Sequence, residues 1–209
     1  MKAILFADRS GEELQPLTTK TCVALLPMAT KPLIEYTLDE LLSAHLQEVI
    51  VVISAHAEDI EQRLGNGERW GMQLDYVLTR GQEEPATVLS RLGARLADSE
   101  YLLIRGDILR SFKLRHFLNQ ASLENGSTLA VINGHNAGVC LVRKQASLHP
   151  WQAGNLLRWD VFSAFLKISS NHLVPKAGTD YSAADQAGRT DNVAVAIDHA
   201  QLLSWEGNL

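Results

Sequence analysis

The strongest chemical candidate in the sequence is Asp107, which stands directly after Gly106 at the end of the apolar run Tyr101-Leu102-Leu103-Ile104. A carboxylate at the end of a buried strand could hold a hard divalent cation such as Mg²⁺ against phosphate oxygens, or it could cap the turn that follows. Lys31 follows a turn and precedes Pro32, where its ammonium could reach a phosphate or simply remain solvated. Asp8, Glu12 and Glu13 put three carboxylates in one loop, which suits a hard cation or a solvated acidic turn. Ser10 lies beside them without a G-x-S-x-G elbow or a partnered histidine, which excludes nucleophilic catalysis. Histidines such as His45, His56, His116 and His172 are scattered without ligand spacing and read as surface or packing residues. Cys22 and Cys140 lie far apart without zinc-ligand spacing, so two buried thiols in a reducing cytoplasm are expected.

Positioning these groups requires a scaffold, and the chain shows a strand-helix rhythm. Residues 3–7, a short apolar run that is partly β-branched or aromatic, and 48–53, which is largely β-branched, read as buried strands. Residues 36–47 place Leu38, Leu41, Leu42 and Leu46 at helical spacing between them. The alternation continues with a helix over 57–64 ended by Gly65-Asn66-Gly67, a strand over 72–78, a helix over 85–96 and a strand over 101–104. It predicts a three-layer α/β, Rossmann-like fold, with a mostly parallel sheet and ligands beyond the carboxyl ends of its strands. After Ser127 the rhythm loosens, with strands over 128–132, 138–142 and 193–197 and helices over 159–168 and 198–205. No domain boundary interrupts residues 1–209. Of these 209 residues 46% are hydrophobic and 21% charged, an ordinary globular composition. With 19 Lys and Arg against 24 Asp and Glu, the net charge of −5 provides no basic field for nucleic acid. The apolar run 49–53 falls far short of the ~20 residues of a membrane span, so a soluble cytoplasmic protein is expected.

Several segments then resemble the sugar-phosphate nucleotidylyltransferases, which join a nucleoside triphosphate to a sugar 1-phosphate and release pyrophosphate. That family opens on M-K-A-x-I-L-A, a loop of type G-x-G-T-R-L-x-P-L-T, then P-K-x-L-L-P and x-x-K-P-L-I. Here stand Met1-Lys2-Ala3, Leu14-Gln15-Pro16-Leu17-Thr18, Leu25-Leu26-Pro27 and Lys31-Pro32-Leu33-Ile34 in gapless register. Gly106-Asp107 resembles the family's G-D metal site, and Asn136-Ala137-Gly138 its sugar-binding N-A-G segment. The resemblance implies catalytic roles for Asp107 and Lys31 and Mg²⁺ on Asp107. The second metal carboxylate would be Asp198 with one residue of slippage, or Asp191; Asp198 could also cap the helix after it. It further implies nucleotide or nucleotide-sugar contacts at Ala7, Gly11, Thr87, Gly106, Asn136 and Gly138.

The departures from the pattern run against catalysis. Arg9 stands at the first glycine of the loop, Glu12 at its threonine, Glu13 at its arginine and Val23 at the lysine of P-K-x-L-L-P. A carboxylate in place of a phosphate-binding cation reverses an attraction into a repulsion. The base-contacting L-G-T-A reads Pro85-Ala86-Thr87-Val88, and only Asn133-Gly134-His135 stands where the family carries an E-K-P segment. Neither a D-x-D pair nor G-x-G-x-x-G after the first strand is present, which argues against a metal-dependent glycosyltransferase and a dinucleotide-binding oxidoreductase. The expectation is a nucleotidyltransferase-like domain acting as a regulatory or scaffold module, with an active Mg²⁺-dependent sugar-1-phosphate nucleotidylyltransferase as the alternative. The family often carries a β-helix domain after this one; the 209 residues are therefore expected to be an N-terminal domain whose apolar surface near Trp205 and Leu209 is left uncovered without it, which would favour a homo-oligomer or a protein partner.

Overall fold

The computed structural model describes residues 1–81, 83, 85–96, 100–110, 113–123, 128–132, 135–143 and 195–196. The chain runs through β1 (Lys2–Phe6), the two-residue strands β2 (Pro27–Met28) and β3 (Lys31–Pro32), α1 (Leu33–Ser43), β4 (Glu48–Ile53), α2 (Ala57–Leu64) and β5 (Gln73–Leu78). It continues through α3 (Pro85–Leu92), β6 (Glu100–Arg105), β7 (Ile108–Leu109), α4 (Leu114–Ala121), β8 (Thr128–Ile132), β9 (His135–Arg143) and β10 (Val195–Ala196). Six strands form one sheet in the order β5-β4-β1-β6-β9-β8. β1 pairs in parallel with both β4 and β6, β4 with β5, and only β9 runs antiparallel to its neighbours.

The three layers follow from which faces are apolar. Ala3, Leu5, Val49, Val51, Leu102 and Ile104 point to one face, where they pack with Ile34, Leu38 and Leu41 of α1, Ile60 of α2 and Phe117 of α4. Ile4, Phe6, Ile50, Val52 and Leu103 point to the other and meet Val88, Leu89 and Leu92 of α3. Central strands covered on both sides must be apolar at every position, and residues 49–53 are. The edge strand β5 alternates more, with Leu74 buried between exposed Gln73 and Asp75.

Several boundaries differ from the sequence reading. α1 begins at Leu33, because Pro32 is its N-cap and its first turn buries Leu33 and Ile34. α3 ends at Leu92, where Gly93 opens a 3₁₀ turn instead of continuing the helix. The reading omitted α4, although Leu114, Phe117 and Ala121 carry the i, i+3, i+7 spacing of a buried helical face. Cys22 and Cys140 are both buried free thiols, and burial pushes Cys140 up to about 12. The helices expected over 159–168 and 198–205, and with them Asp191, Asp198, Trp205 and Leu209, lie outside the described residues, whereas β10 falls within the strand expected over 193–197.

Candidate functional site

The order of the sheet brings the two loops of interest together. β4 lies on one side of β1 and β6 on the other, so consecutive crossovers diverge from β1 and leave a crevice at its carboxyl end. There the Ala7 N–H donates to the Val52 carbonyl and the Gly106 N–H to the Phe6 carbonyl, each at 2.8 Å. Residues 7–9 and 105–107 therefore leave the sheet side by side. Ala7, Gly106 and Asp107 are all buried.

Asp107 is the electrostatic centre of this crevice. Arg105 donates to it through both Nε, 2.7 Å from Oδ1, and Nη2, on Oδ2, while Arg9 Nη1 donates to Oδ2 at 3.1 Å. Burial alone would push this carboxyl up, but the Arg105 and Arg9 guanidiniums outweigh it and hold it below the usual carboxylate range. Both oxygens are thus occupied by charged donors of this chain. Bringing a divalent cation to them would set two positive guanidiniums against it, so the carboxylate as folded does not fit Mg²⁺. Among the described residues no three His, Cys, Asp or Glu side chains gather as a metal site.

Asp8, expected in a solvated acidic turn, is instead buried beside this pair. Its carbonyl accepts from Ser54 Oγ at 2.8 Å, and Thr79 Oγ1 lies 3.5 Å from its carboxylate. Burial pushes Asp8 up to about 6, against the pull of its own and the Glu83 backbone amides and of nearby Arg105. Glu12 is exposed, so Asp8 and Glu12 stand in different environments.

Beneath the crevice lies Arg110, which sequence reasoning missed. Its side chain is 0% exposed and pairs with Glu40 Oε2 of α1 at 3.3 Å. It also donates to Thr37 Oγ1 and the Ile108 carbonyl at 3.3 Å, to the Ala137 carbonyl at 3.2 Å, and to the Arg105 and Gly138 carbonyls. One guanidinium thereby ties the turn carrying Asp107 to α1 and to β9. Gly138 makes this approach possible: its φ is +68°, and a Cβ there would stand 2.6 Å from Ile108 Cδ1 and 3.2 Å from Arg105 Cβ. A signal existed in the sequence, since a charged residue directly after the short apolar pair Ile108-Leu109 needs a buried partner if it cannot reach water.

The first loop closes on itself. Gly11 adopts φ +73°, its carbonyl accepts from Thr18 Oγ1 at 2.5 Å, and the space above its Cα is filled by Val23 Cγ2 and Thr18 Cγ2. Val23 and Leu14 are 0% exposed and join Leu26, Met28 and Leu33 in a small core of their own. Lys31 on β3 is half-buried, ion-paired with Asp39 and 4.3 Å from the centroid of the Tyr36 ring, rather than projecting freely. Thr87 is exposed in the first turn of α3, and Asn136 sits on β9 in register with Val131. Ala7, Gly106 and Asp107 lie together where β1 and β6 end, and Gly138 of β9 packs beside Arg105, whereas Gly11 packs against Val23 and Thr18.

Comparison with known proteins matches this architecture. The chain is 29% identical over 126 residues to the translation initiation factor eIF2B subunit epsilon of Schizosaccharomyces pombe, covering 57% of this chain and 18% of that protein. It is 33% identical over 115 residues to the N-acetylmuramate alpha-1-phosphate uridylyltransferase of Neisseria meningitidis, covering 52% of this chain and 48% of the enzyme. The chain thus spans less than half the length of either relative. A Bacillus anthracis crystal structure assigned as a glucose-1-phosphate thymidylyltransferase, with sucrose bound, shares the fold at a TM-score of 0.64 and 19% identity, covering 94% of this chain and 98% of that one. Residues 2–137, from β1 through the crevice to the start of β9, match the family described as Nucleotidyl transferase, and the chain belongs to that family.

Proposed function

We propose that this chain is a nucleotidyl transferase domain, related to the sugar-1-phosphate nucleotidylyltransferases, that has lost nucleotidyl transfer and serves as a regulatory or scaffold module. The observation that carries this reading is the closed first loop. An anion needs close backbone donors and positive charge. Here the remaining loop glycine is packed against Val23 and Thr18, with Glu12 exposed beside it. A relative named as a subunit of a translation initiation factor supports a role in an assembly, with a protein partner or a second copy. The competing reading, an active Mg²⁺-dependent enzyme making a nucleotide sugar, is favoured by the position of Asp107 in the crevice between the ends of β1 and β6.

Pyrophosphate release, measured with a panel of nucleoside triphosphates and sugar 1-phosphates in Mg²⁺, separates the two. No release above a no-protein control is expected; turnover near the ~1–10³ s⁻¹ usual for enzymes overturns the proposal. The combined variant Arg9→Gly, Glu12→Thr and Glu13→Arg, which leaves the buried Val23 in place, is expected to bind triphosphate more tightly than the wild type by calorimetry. No gain would assign the larger defect to the cleft reshaped by Val23 or to the shortened stretch between β8 and β9.

A further inference from the structure

We propose that Arg9 and Arg105 form an internal clasp that occupies Asp107 and excludes divalent cations from the crevice, so that this chain carries a latent cation site held shut by its own guanidiniums. The inference deepens the non-catalytic reading and rests on it for its functional meaning. The argument begins with sequence distance. Arg9 and Asp107 are 98 positions apart, yet Nη1 and Oδ2 meet at 3.1 Å because β1 and β6 are adjacent and in parallel register, with Phe6 opposite Arg105. Arg105, two residues before Asp107, supplies a two-pronged contact from the same loop. The Asp107 side chain is 2% exposed, whereas those of Arg9 and Arg105 are 22% and 17% exposed. The two cations therefore form the lid and the carboxylate the floor.

This geometry changes what the departure at Arg9 means. A glycine at position 9 would remove one cation from the carboxylate; the arginine found there supplies a charge-assisted hydrogen bond to Oδ2, one of its two oxygens. The contact also joins the loop after β1 to the loop after β6, bridging the crevice at its mouth. Asp107 stays ionised and satisfied with no metal, because two guanidiniums offset its burial. The Arg110–Glu40 pair beneath fixes the turn without consuming either Asp107 oxygen.

The test is Mn²⁺ binding to the purified full chain, read by electron paramagnetic resonance of the free ion. The wild type is expected to show no Mn²⁺ binding that depends on Asp107. Arg9→Gly/Arg105→Leu is expected to bind more than about tenfold tighter, since both positive charges within a few ångström are removed, and Arg9→Gly less so, because Arg105 still contacts both oxygens. Adding Asp107→Asn to either variant is expected to abolish the gain. Circular dichroism and a cooperative melt establish that each variant is folded; if the double variant is not, Arg9→Gly/Arg105→Lys decides in its place, because a lysine keeps one positive charge near Asp107 without the two-pronged contact to both oxygens. Asp107-dependent Mn²⁺ binding by the wild type overturns the clasp, as does a folded Arg9→Gly/Arg105→Leu or Arg9→Gly/Arg105→Lys that binds no tighter. Pyrophosphate release by the wild type instead overturns the non-catalytic reading, so the two failures are distinguishable.

Discussion

Replacing Arg110 by methionine is expected to destabilise the folded chain by about 3–5 kcal/mol, measured as a fall in the urea midpoint at unchanged slope. The guanidinium is completely buried, and methionine fills its volume without its donors. Five backbone or side-chain acceptors would lose a partner, and Glu40, only 19% exposed, would be left without its counter-charge. Burial already pushes Glu40 up against the pull of Arg110, so its carboxyl would rise further in the variant. A carboxyl whose folded value lies above its unfolded value weighs against the fold at pH above the folded value, and that burden disappears as pH falls through it. The defect is therefore expected to be larger at pH 8 than at pH 5. Arg110→Met/Glu40→Leu is expected to recover part of the loss, since a buried pair replaced whole by apolar side chains costs far less than a pair broken. A loss under about 1 kcal/mol in the single variant would show that the guanidinium does not hold this turn.

Asp8→Asn is expected to act in the opposite direction and stabilise the chain at neutral pH. Folding moves Asp8 from an ordinary 3.8 up to about 6, mainly by burial. Between those values the folded state holds more protons than the unfolded one, so stability rises as pH falls through this window and is lowest above it. At about 1.4 kcal/mol per tenfold in proton affinity, the burden above pH 7 is roughly 3 kcal/mol. Asparagine keeps a carbonyl oxygen for the Thr79 hydroxyl and the Glu83 amide without the charge. Urea unfolding at pH 7.5 and pH 4 is expected to show a stabilised variant at the first pH and near equality at the second. A variant less stable than the wild type at pH 7.5 would mean that attraction to Arg105 outweighs the cost of burial.

Much of the scaffold was legible because its signals are local. The strand over 48–53 and the helix over 57–64 are found to the residue, since an unbroken β-branched run bounded by polar residues and a helix ended by glycines specify themselves within a few neighbours. The start of α1 was misplaced because the apolar first turn after Pro32 looks like part of a strand until it is seen packed on the sheet. The departures at Glu12, Glu13 and Val23 were also visible, and they pointed to a weakened phosphate cradle. That Val23 fills the space over Gly11 required the folded loop.

By itself, then, the amino-acid order determined the alternating α/β scaffold, the family and the two loops at the crevice. The tertiary structure decided what the charged residues in those loops do. Asp8 and Glu12 belong to one loop in sequence, yet one is buried and pushed up to about 6 while the other is exposed. Arg9 and Asp107 have no sequence relation, yet they form the contact that bridges the crevice. The reason is physical: hydrophobic periodicity is read from neighbours three or four positions apart, whereas the state of an ionisable group depends on burial and on charges within a few ångström. Those surroundings come into being only when the order β5-β4-β1-β6-β9-β8 sets the ends of β1, β6 and β9 side by side.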